Sequence, residues 1–439
     1  MLIRCEIGNF KSFKEPQEIN LFPYGQNSFK ENIHYFNDTE LYFGTSKKEN
    51  EKRNKNRLLK LALITGKNAS GKSNFFEGIE FFKDFFIKDR DNLFSFDEFS
   101  LEENKLDTIF EIEFIHNQKY IQYSLKINKF ERKINEERLS VKMLNKKTFE
   151  EVFYVKDGEI LIFNTNHIKS KGIKEFFMNN TSRSLIKILK DANDSFIKEN
   201  FLSFFENMVI IHKNNPITEN NFILNKIKLK EMLLERKNGK SCRLLELIEK
   251  FVSNLDTGIK RLDIEDGMDE NYGNLSSEAI EKVKKYRIKT IHNRYDLDGK
   301  IIGETKLDLY TNESTGTRKI VELSFAIISS LCNGTPVLID ELTTYFHNKI
   351  TEEVIDLYRM DWTRGQLIFS THNDNLLDYD FRKDQIYIID KNEKEESEIF
   401  SLIDTDFRND LSTAKQYMAG KFGSFPKVNL NFLRDGWED

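Results

Sequence analysis

Residues 58–76 read LLKLALITGKNASGKSNFF. Leu58 to Thr65 is a nearly continuous apolar run, the pattern of a strand buried on both faces of a parallel sheet. Gly66, Gly71, Lys72 and Ser73 then satisfy every fixed position of the pattern G-x-x-x-x-G-K-[ST]. Beyond Ser73, the residues Phe75, Phe76, Ile79, Phe82 and Phe86 recur at helical spacing, so the loop joins a strand to the start of a helix. Such a loop is built for phosphate: the glycines let backbone N–H groups turn inward, and the helix end adds a partial positive charge. Lys72 is placed to reach β- and γ-phosphates, and Ser73 to hold Mg²⁺.

A chain of 439 residues can form two or three domains and bury a sizeable core without covalent staples. Its three cysteines, Cys5, Cys242 and Cys332, are scattered, which suggests a reducing cytosol and offers no metal cluster. Met1 to Phe10 carries charges where a signal peptide needs an apolar core, and the apolar run Leu323 to Cys332 is too short to cross a bilayer. A soluble cytoplasmic protein with no membrane partner is expected. The net charge of −5 gives no global attraction to nucleic acid, although a local basic face would not register in that sum. Abundant Phe, Lys, Asn and Ile with few Pro reads as the codon bias of an AT-rich genome and carries no functional meaning.

Taken in order, Met1 to Phe22 alternates around a turn at Gly8-Asn9 and is expected to add edge strands to the nucleotide domain. Lys48 to Arg57, KENEKRNKNR, reads as a solvated loop, with a phosphate-contacting loop as the alternative. FEIEF and YIQYSLKI, separated by His116 to Lys119, read as a hairpin, and Arg138 to Met143 extends the same antiparallel layer. From about Ile168 to Asp263 the pattern is helical, with turns at Asn179-Asn180 and Asn238-Gly239 and without the sustained heptads of a long coiled coil. Glu265 to Asn274 is acidic and reads as a loop. The expected organisation is a P-loop half over 1–90, an antiparallel β layer over 91–150, an inserted mainly helical domain over 151–300, and a second nucleotide-site half over 301–439.

That second half starts at Glu313-Ser314-Thr315-Gly316-Thr317, where small hydroxyl residues and a glycine open an apolar helical run. Most such openings are plain helix caps; some are anion sites. Two strands farther along the chain favour the anion site. TPVLID, residues 335–340, is a short buried strand ending in the acid pair Asp340-Glu341. There Asp340 is expected to bind Mg²⁺ through water, and Glu341 to position and deprotonate the attacking water. QLIFS, residues 366–370, is another buried strand, and it delivers His372 to the same sheet edge, within reach of a γ-phosphate. The order P-loop, Ser/Gly helix start, acid pair, histidine is that of an ABC-type ATPase, in which the Ser/Gly element closes on the nucleotide of a second subunit. The expected fold class is therefore α/β, an ABC-type P-loop domain of mixed sheet plus antiparallel layer with the helical insertion.

The chain resembles the RloA-like ATPases, which group with RecF, SMC proteins and the ATPase half of overcoming-lysogenization-defect nucleases. The matching segments are NFKSF (9–13), GKNASGKSN (66–74), ESTGT (313–317), LIDEL (338–342), FSTHN (369–373) and YMAGKFGSFP (417–426). The resemblance implies ATP and Mg²⁺ as cofactors and nucleotide contacts from Lys11 or Ser12. It further implies contacts from Gly66, Asn68, Ala69, Ser70, Gly71, Lys72, Ser73 and Asn74, and a role in trans for Ser314, Gly316 and Thr317. Thr315 and Thr317 stand where transporter ATPases have Gly and Gln, which argues against a transporter subunit. Phe346-His347-Asn348 stands where the family resembles Leu-His-Pro. For the Q-loop glutamine, Gln118 and Gln122 are candidates. The residues after His372 hold no cluster of acids at metal-ligand spacing, unlike the nuclease relatives. The implied function is a homodimeric or larger ATP-driven switch of an anti-phage system, similar to the ATPase subunit of PARIS. It would answer a phage-derived protein or nucleic acid trigger and control a separate effector encoded nearby, such as a nuclease. The alternative is a RecF- or SMC-like clamp on nucleic acid.

Overall fold

The computed structural model describes residues 1–24, 29–36, 57–88, 93–101, 106–212, 218–269, 278–405 and 411–423. Most of the Lys48 to Arg57 loop, the second half of Glu265 to Asn274 and the last three residues of YMAGKFGSFP lie outside them. The chain is α/β and divides into two compact units, 1–206 with 368–439, and 207–367.

The first unit contains a seven-stranded antiparallel sheet. Its spatial order is Glu159–Phe163, Glu150–Lys156, Lys133–Met143, Lys119–Asn128, Thr108–His116, Leu2–Gly8, Gln17–Asn20. The hairpin at His116 to Lys119 closes as expected, with His116 opposite Lys119. The N-terminal strands differ from expectation. Leu2–Gly8 is interior to this antiparallel sheet and only Gln17–Asn20 lies at its edge. A cross-strand charge cluster explains the placement: the Arg4 guanidinium bonds carboxylates of Glu6 on its own strand, Glu18 on one neighbour and Glu111 on the other. Glu150–Lys156 and Glu159–Phe163, expected within the helical insertion, extend the same sheet because Val152, Phe153 and Val155 supply its buried face.

A second sheet in this unit sets Leu61–Thr65 parallel to Ile386–Lys391, which pairs antiparallel with Ser397–Ser401. The helix Lys72–Ile87 packs on the antiparallel sheet. All five of its expected core positions, Phe75, Phe76, Ile79, Phe82 and Phe86, are buried. Phe82 stacks on Phe110 with ring centroids 5.2 Å apart, and Phe86 meets Tyr123, Phe201 and Phe205 at 4.9–5.2 Å. Gly78 lets the helix lie close to the sheet, since a Cβ there would come within 3.1 Å of Ile7.

In the second unit, Val209–Ile211 pairs in parallel with Pro336–Ile339. This three-residue strand sits inside the stretch read as helical and is too short to carry a period of its own. The helices Thr218–Lys237 and Arg243–Ser253 come next, and both pack on the long helix Thr315–Asn333. Arg261–Asp266, Tyr286–Tyr295 and Ile301–Asp308 form a three-stranded antiparallel sheet, so Glu265 and Asp266, expected in a loop, are strand residues and the insertion is helical only in its middle. No helix among the described residues is long and apolar enough to cross a membrane.

The ring cluster yields a direct test. Phe86 is fully buried against five other aromatic rings, Phe82, Phe85, Tyr123, Phe201 and Phe205, all within 5.2 Å. Phe86→Ala should therefore lower the stability of the first unit by about 3–5 kcal/mol, read from the shift in a denaturant-unfolding midpoint.

Candidate functional site

In the first unit the site is built on the end of Leu61–Thr65. Its register with Ile386–Lys391 places Ile388 opposite Thr65 and brings the carbonyl of Ile389 to the turn beyond it. A Cβ on Gly66 would stand 2.2 Å from that oxygen, so no other residue fits. Gly71 has φ +114° and would, with a Cβ, come within 2.4 Å of Ser397 Oγ and 2.8 Å of Ser12 Oγ. Ala69 takes the left-handed conformation at φ 61°. The loop therefore closes on itself: the buried Lys72 ammonium donates to the carbonyls of Gly66 at 2.6 Å and Lys67 at 2.8 Å. The Ser70 hydroxyl is buried in the loop and has no hydrogen-bond partner. A tight cradle with glycines where side chains would clash, an orphaned hydroxyl and a buried cation at a helix start fits a phosphate chain.

Distant segments brace this cradle. Ser397 Oγ donates to the Ser70 carbonyl at 2.6 Å, and its backbone N–H donates to Ser12 O at 2.8 Å. Asn74 donates to Ser12 Oγ at 2.8 Å, and Lys11 forms an ion pair with Glu77. Lys11 and Ser12 thus lie beside the first turns of the P-loop helix, with their polar atoms engaged by that helix. Lys67 is paired with Asp390 at 3.0 Å. Gly423, in the expected YMAGKFGSFP segment, packs so tightly that a Cβ would meet Asp390 at 2.4 Å. Thr371, after the strand Gln366–Ser370, donates its N–H to Ile64 O at 3.1 Å, which delivers the exposed His372 to the same end of Leu61–Thr65. Burial pushes the Asp374 carboxyl up, against the opposing pull of His372 and Lys72.

In the second unit, Asp340 is buried at the end of Pro336–Ile339, where its N–H donates to Ile211 O at 2.7 Å. Glu341 comes next, in the left-handed region at φ 55°, a conformation that costs a non-glycine residue on the order of 1–3 kcal/mol. Its carboxylate accepts from Thr344 Oγ1 at 3.0 Å. Burial, together with the charges of Asp340 and Glu341, pushes the Tyr345 phenol up to about 12. Lys319 lies 5.1 Å from the Tyr345 ring and so connects the helix Thr315–Asn333 to the acid pair. At the start of that helix the Ser314 hydroxyl accepts from Thr317 N at 3.0 Å, an N-cap that satisfies one helix N–H, while Ser314, Thr315 and Gly316 stay exposed.

Of the residues expected from sequence to form one nucleotide site, Lys11, Ser12, Gly66 to Asn74 and His372 lie in the first unit. Ser314, Gly316, Thr317, Asp340 and Glu341 belong to the second. The reading from sequence missed Ser397, Asp390, Asp374 and Glu77. Glu77 lies on the P-loop helix within reach of any motif scan, but Ser397 is 327 residues from its partner and carries no local signal. Of the Q-loop candidates, Gln122 bonds Glu113 within the antiparallel sheet and Gln118 sits in the hairpin turn.

Solved structures similar to this chain are SMC head domains. One is an SMC head bound to the C-terminal winged-helix domain of ScpA, at 13% identity and TM-score 0.42, covering 95% of this chain and 99% of that one. A second is the SMC head domain from Thermotoga maritima, at 14% identity and TM-score 0.36, covering 91% and 98%. A third is an SMC head with an extended coiled coil, bound to the C-terminal domain of ScpA derived from Pyrococcus furiosus, at 12% identity and TM-score 0.39, covering 95% and 98%. No curated protein sequence matches significantly. A family model described as "AAA domain, putative AbiEii toxin, Type IV TA system" matches residues 61–378. That span starts on the P-loop strand and runs past His372, and on it the chain belongs to this AAA-domain family.

Proposed function

We propose that the chain is an ATP-binding and ATP-hydrolysing switch of an anti-phage defence system, of a toxin–antitoxin-like or abortive-infection kind, that controls a separate effector. The observation that carries the nucleotide reading is the Gly66 to Ser73 cradle, with Lys72 buried inside it and positions 66 and 71 closed to any side chain. The family description, which names a toxin–antitoxin system, supports the defence reading.

Lys72, turning out of its own loop, neutralises the β- and γ-phosphates, and the backbone N–H groups of 68 to 73 bind their oxygens. Ser73 would hold Mg²⁺ directly and Asp340 would hold it through water; this metal takes few protein ligands when phosphates provide the rest. The chemistry such a metal would supply when bound is neutralisation of the charge that builds on the phosphate oxygens. Glu341 orients water and takes its proton; His372, exposed at the strand end, contacts the γ-phosphate side. Ser314, Gly316 and Thr317 form an exposed helix start, suited to approach the phosphates held by a second copy, so that nucleotide and dimer are coupled. The closed and open dimers then differ in how they present their surface to the effector, and the effector shifts that equilibrium by its differential affinity.

Glu341→Gln keeps size and leaves Asp340 in place, so ATP should still bind while turnover falls by about 10² or more, measured by phosphate release and by titration with a fluorescent nucleotide. Wild-type turnover would remove Glu341 from the assignment. Lys72→Ala should abolish nucleotide binding itself.

The composite site is tested by mixing. Ser314→Arg should bind ATP yet fail to hydrolyse it, and verified mixed dimers with Lys72→Ala should recover one working site. No recovery would mean that the signature does not act across an interface.

Output is tested on the protein purified alone and with its genomic neighbours. Alone, with ATP and Mg²⁺, it should hydrolyse ATP and leave DNA and RNA intact, and pull-downs should retain the effector in one nucleotide state better than in the other. Intrinsic cleavage that stays with the protein through every column would overturn the switch reading, and a tight ATP-dependent complex with DNA and no protein partner would favour a RecF- or SMC-like clamp.

A further inference from the structure

Glu313 immediately precedes the exposed Ser314 of the helix start, yet it faces inward. Its Oε1 accepts from Thr290 Oγ1 at 2.5 Å and from His292 Nε2 at 2.7 Å. A carboxylate of this kind only accepts, so Nε2 carries the proton. His292 Nε2 also lies 3.2 Å from Thr290 Oγ1, which makes the three groups one closed triangle. Thr290 is fully buried, and the other edge of the imidazole is seated over Gly258, where a Cβ would come within 3.4 Å of Nδ1. Thr290 and His292 belong to the middle strand of the three-stranded sheet, flanked on both sides by paired strands, so the clamp stands on a rigid support.

The rest of the loop is anchored too. Asp308 accepts the N–H groups of Tyr310 and Thr311 at 3.0 Å each, Asn312 accepts that of Asp308 at 2.9 Å, and Arg318 donates to Tyr310 O at 3.1 Å. These bonds fix the loop's stem. The clamp grips the side chain of the residue next to Ser314, and it fixes the angle at which the Ser314 hydroxyl and the helix start are presented.

We infer that His292, with Thr290, is a positioning residue for the Ser314 to Thr317 element: by holding Glu313 it sets the hydroxyl and helix N–H groups at the geometry that a partner copy's phosphates require. This rests on the reading of Ser314 to Thr317 as an element that acts in trans. Oriented donors are worth most when held within a fraction of an ångström, and a misplacement of about 1 Å costs on the order of 10²-fold in rate.

The test uses two substitutions. His292→Phe keeps a ring but removes the donor; His292→Gln returns an N–H near the position of Nε2. His292→Phe should lower kcat about 10- to 100-fold. The affinity of the P-loop for a fluorescent ATP analogue should hold, and His292→Gln should restore most of the rate. Equal loss in both variants, or a weakened P-loop affinity, would reduce the clamp to a general structural contact and overturn the inference. Mixed dimers of Lys72→Ala with Ser314→Arg then locate the effect. The one working site takes its signature from the Lys72→Ala chain, so the loss should track His292→Phe onto that chain. A loss of equal size with the substitution on either chain would also overturn it. If the parent pair itself recovers no activity, the trans reading fails and the role of His292 fails with it; recovery with no loss from His292→Phe removes His292 alone.

Discussion

The approach of the Ile389 carbonyl to Gly66 is the constraint on which the first half of the site depends. At 2.2 Å from any Cβ, the ends of two parallel strands are in backbone contact at the point where the chain must turn into the loop. Since Leu63, Ile64 and Thr65 are in register with Ile386, Tyr387 and Ile388, the next residues of the second strand fall beside the loop. Asp390 meets Lys67, and the hairpin return brings Ser397 under Ser70 and Gly71. The NFKSF segment closes the ring through Ser12. A loop with so many bends is costly in isolation, because each ordered residue loses about 1–2 kcal/mol of backbone entropy. Here its shape is set by two distant parts of the chain, the hairpin that carries Ile389, Asp390 and Ser397, and the NFKSF segment with Ser12.

The aromatic core serves the same end by different physics. The helix that carries Lys72 has phenylalanines along one face, and these interlock with rings from the antiparallel sheet and from Phe201 to Phe205. Each well-oriented ring pair adds about 0.5–1.5 kcal/mol beyond the area it buries. A helix gripped along its length cannot rotate about its axis without breaking several of these pairs together. The position of Lys72 relative to its loop is thereby fixed from behind.

What was legible in the sequence was whatever repeats or punctuates locally. The phosphate loop, its flanking strand and helix, the hairpin at His116 to Lys119 and the strand ending in Asp340 all carry a period or a fixed spacing within a dozen residues. The strand Val209–Ile211 was hidden because three residues are too few for any period, and its partner lies more than a hundred residues away. Strands at 261–308 were submerged in a region whose helices dominate the pattern, and the acidic Glu265 and Asp266 at the sheet's margin resembled a loop. Asp374, Asp390 and Ser397 gave no warning since their roles come from neighbours supplied by folding. Lys11, read from sequence as a nucleotide contact, forms an ion pair with Glu77, one helical turn beyond Ser73, a pairing that no local pattern announces.

Within the second unit, the acid pair and the start of the Ser-capped helix stand on one framework although 26 positions separate Ser314 from Asp340 in the chain. Glu341 holds a left-handed backbone that its neighbours must enforce, and the adjoining turn Leu342–Thr344 is pinned by the Thr344 hydroxyl on the Glu341 carboxylate. Tyr345, next along, lies under Lys319, five residues past Ser314 on the long helix. A cation over an aromatic face is worth about 0.5–2 kcal/mol, more as water is removed. Burial first, and the two acids second, push the Tyr345 phenol further above its ordinary range, so it stays packed beside them without adding a third negative charge. A small shift of the helix start is therefore resisted at both ends: by the Thr290 and His292 clamp on Glu313, and by Lys319 on the tyrosine that borders Asp340 and Glu341.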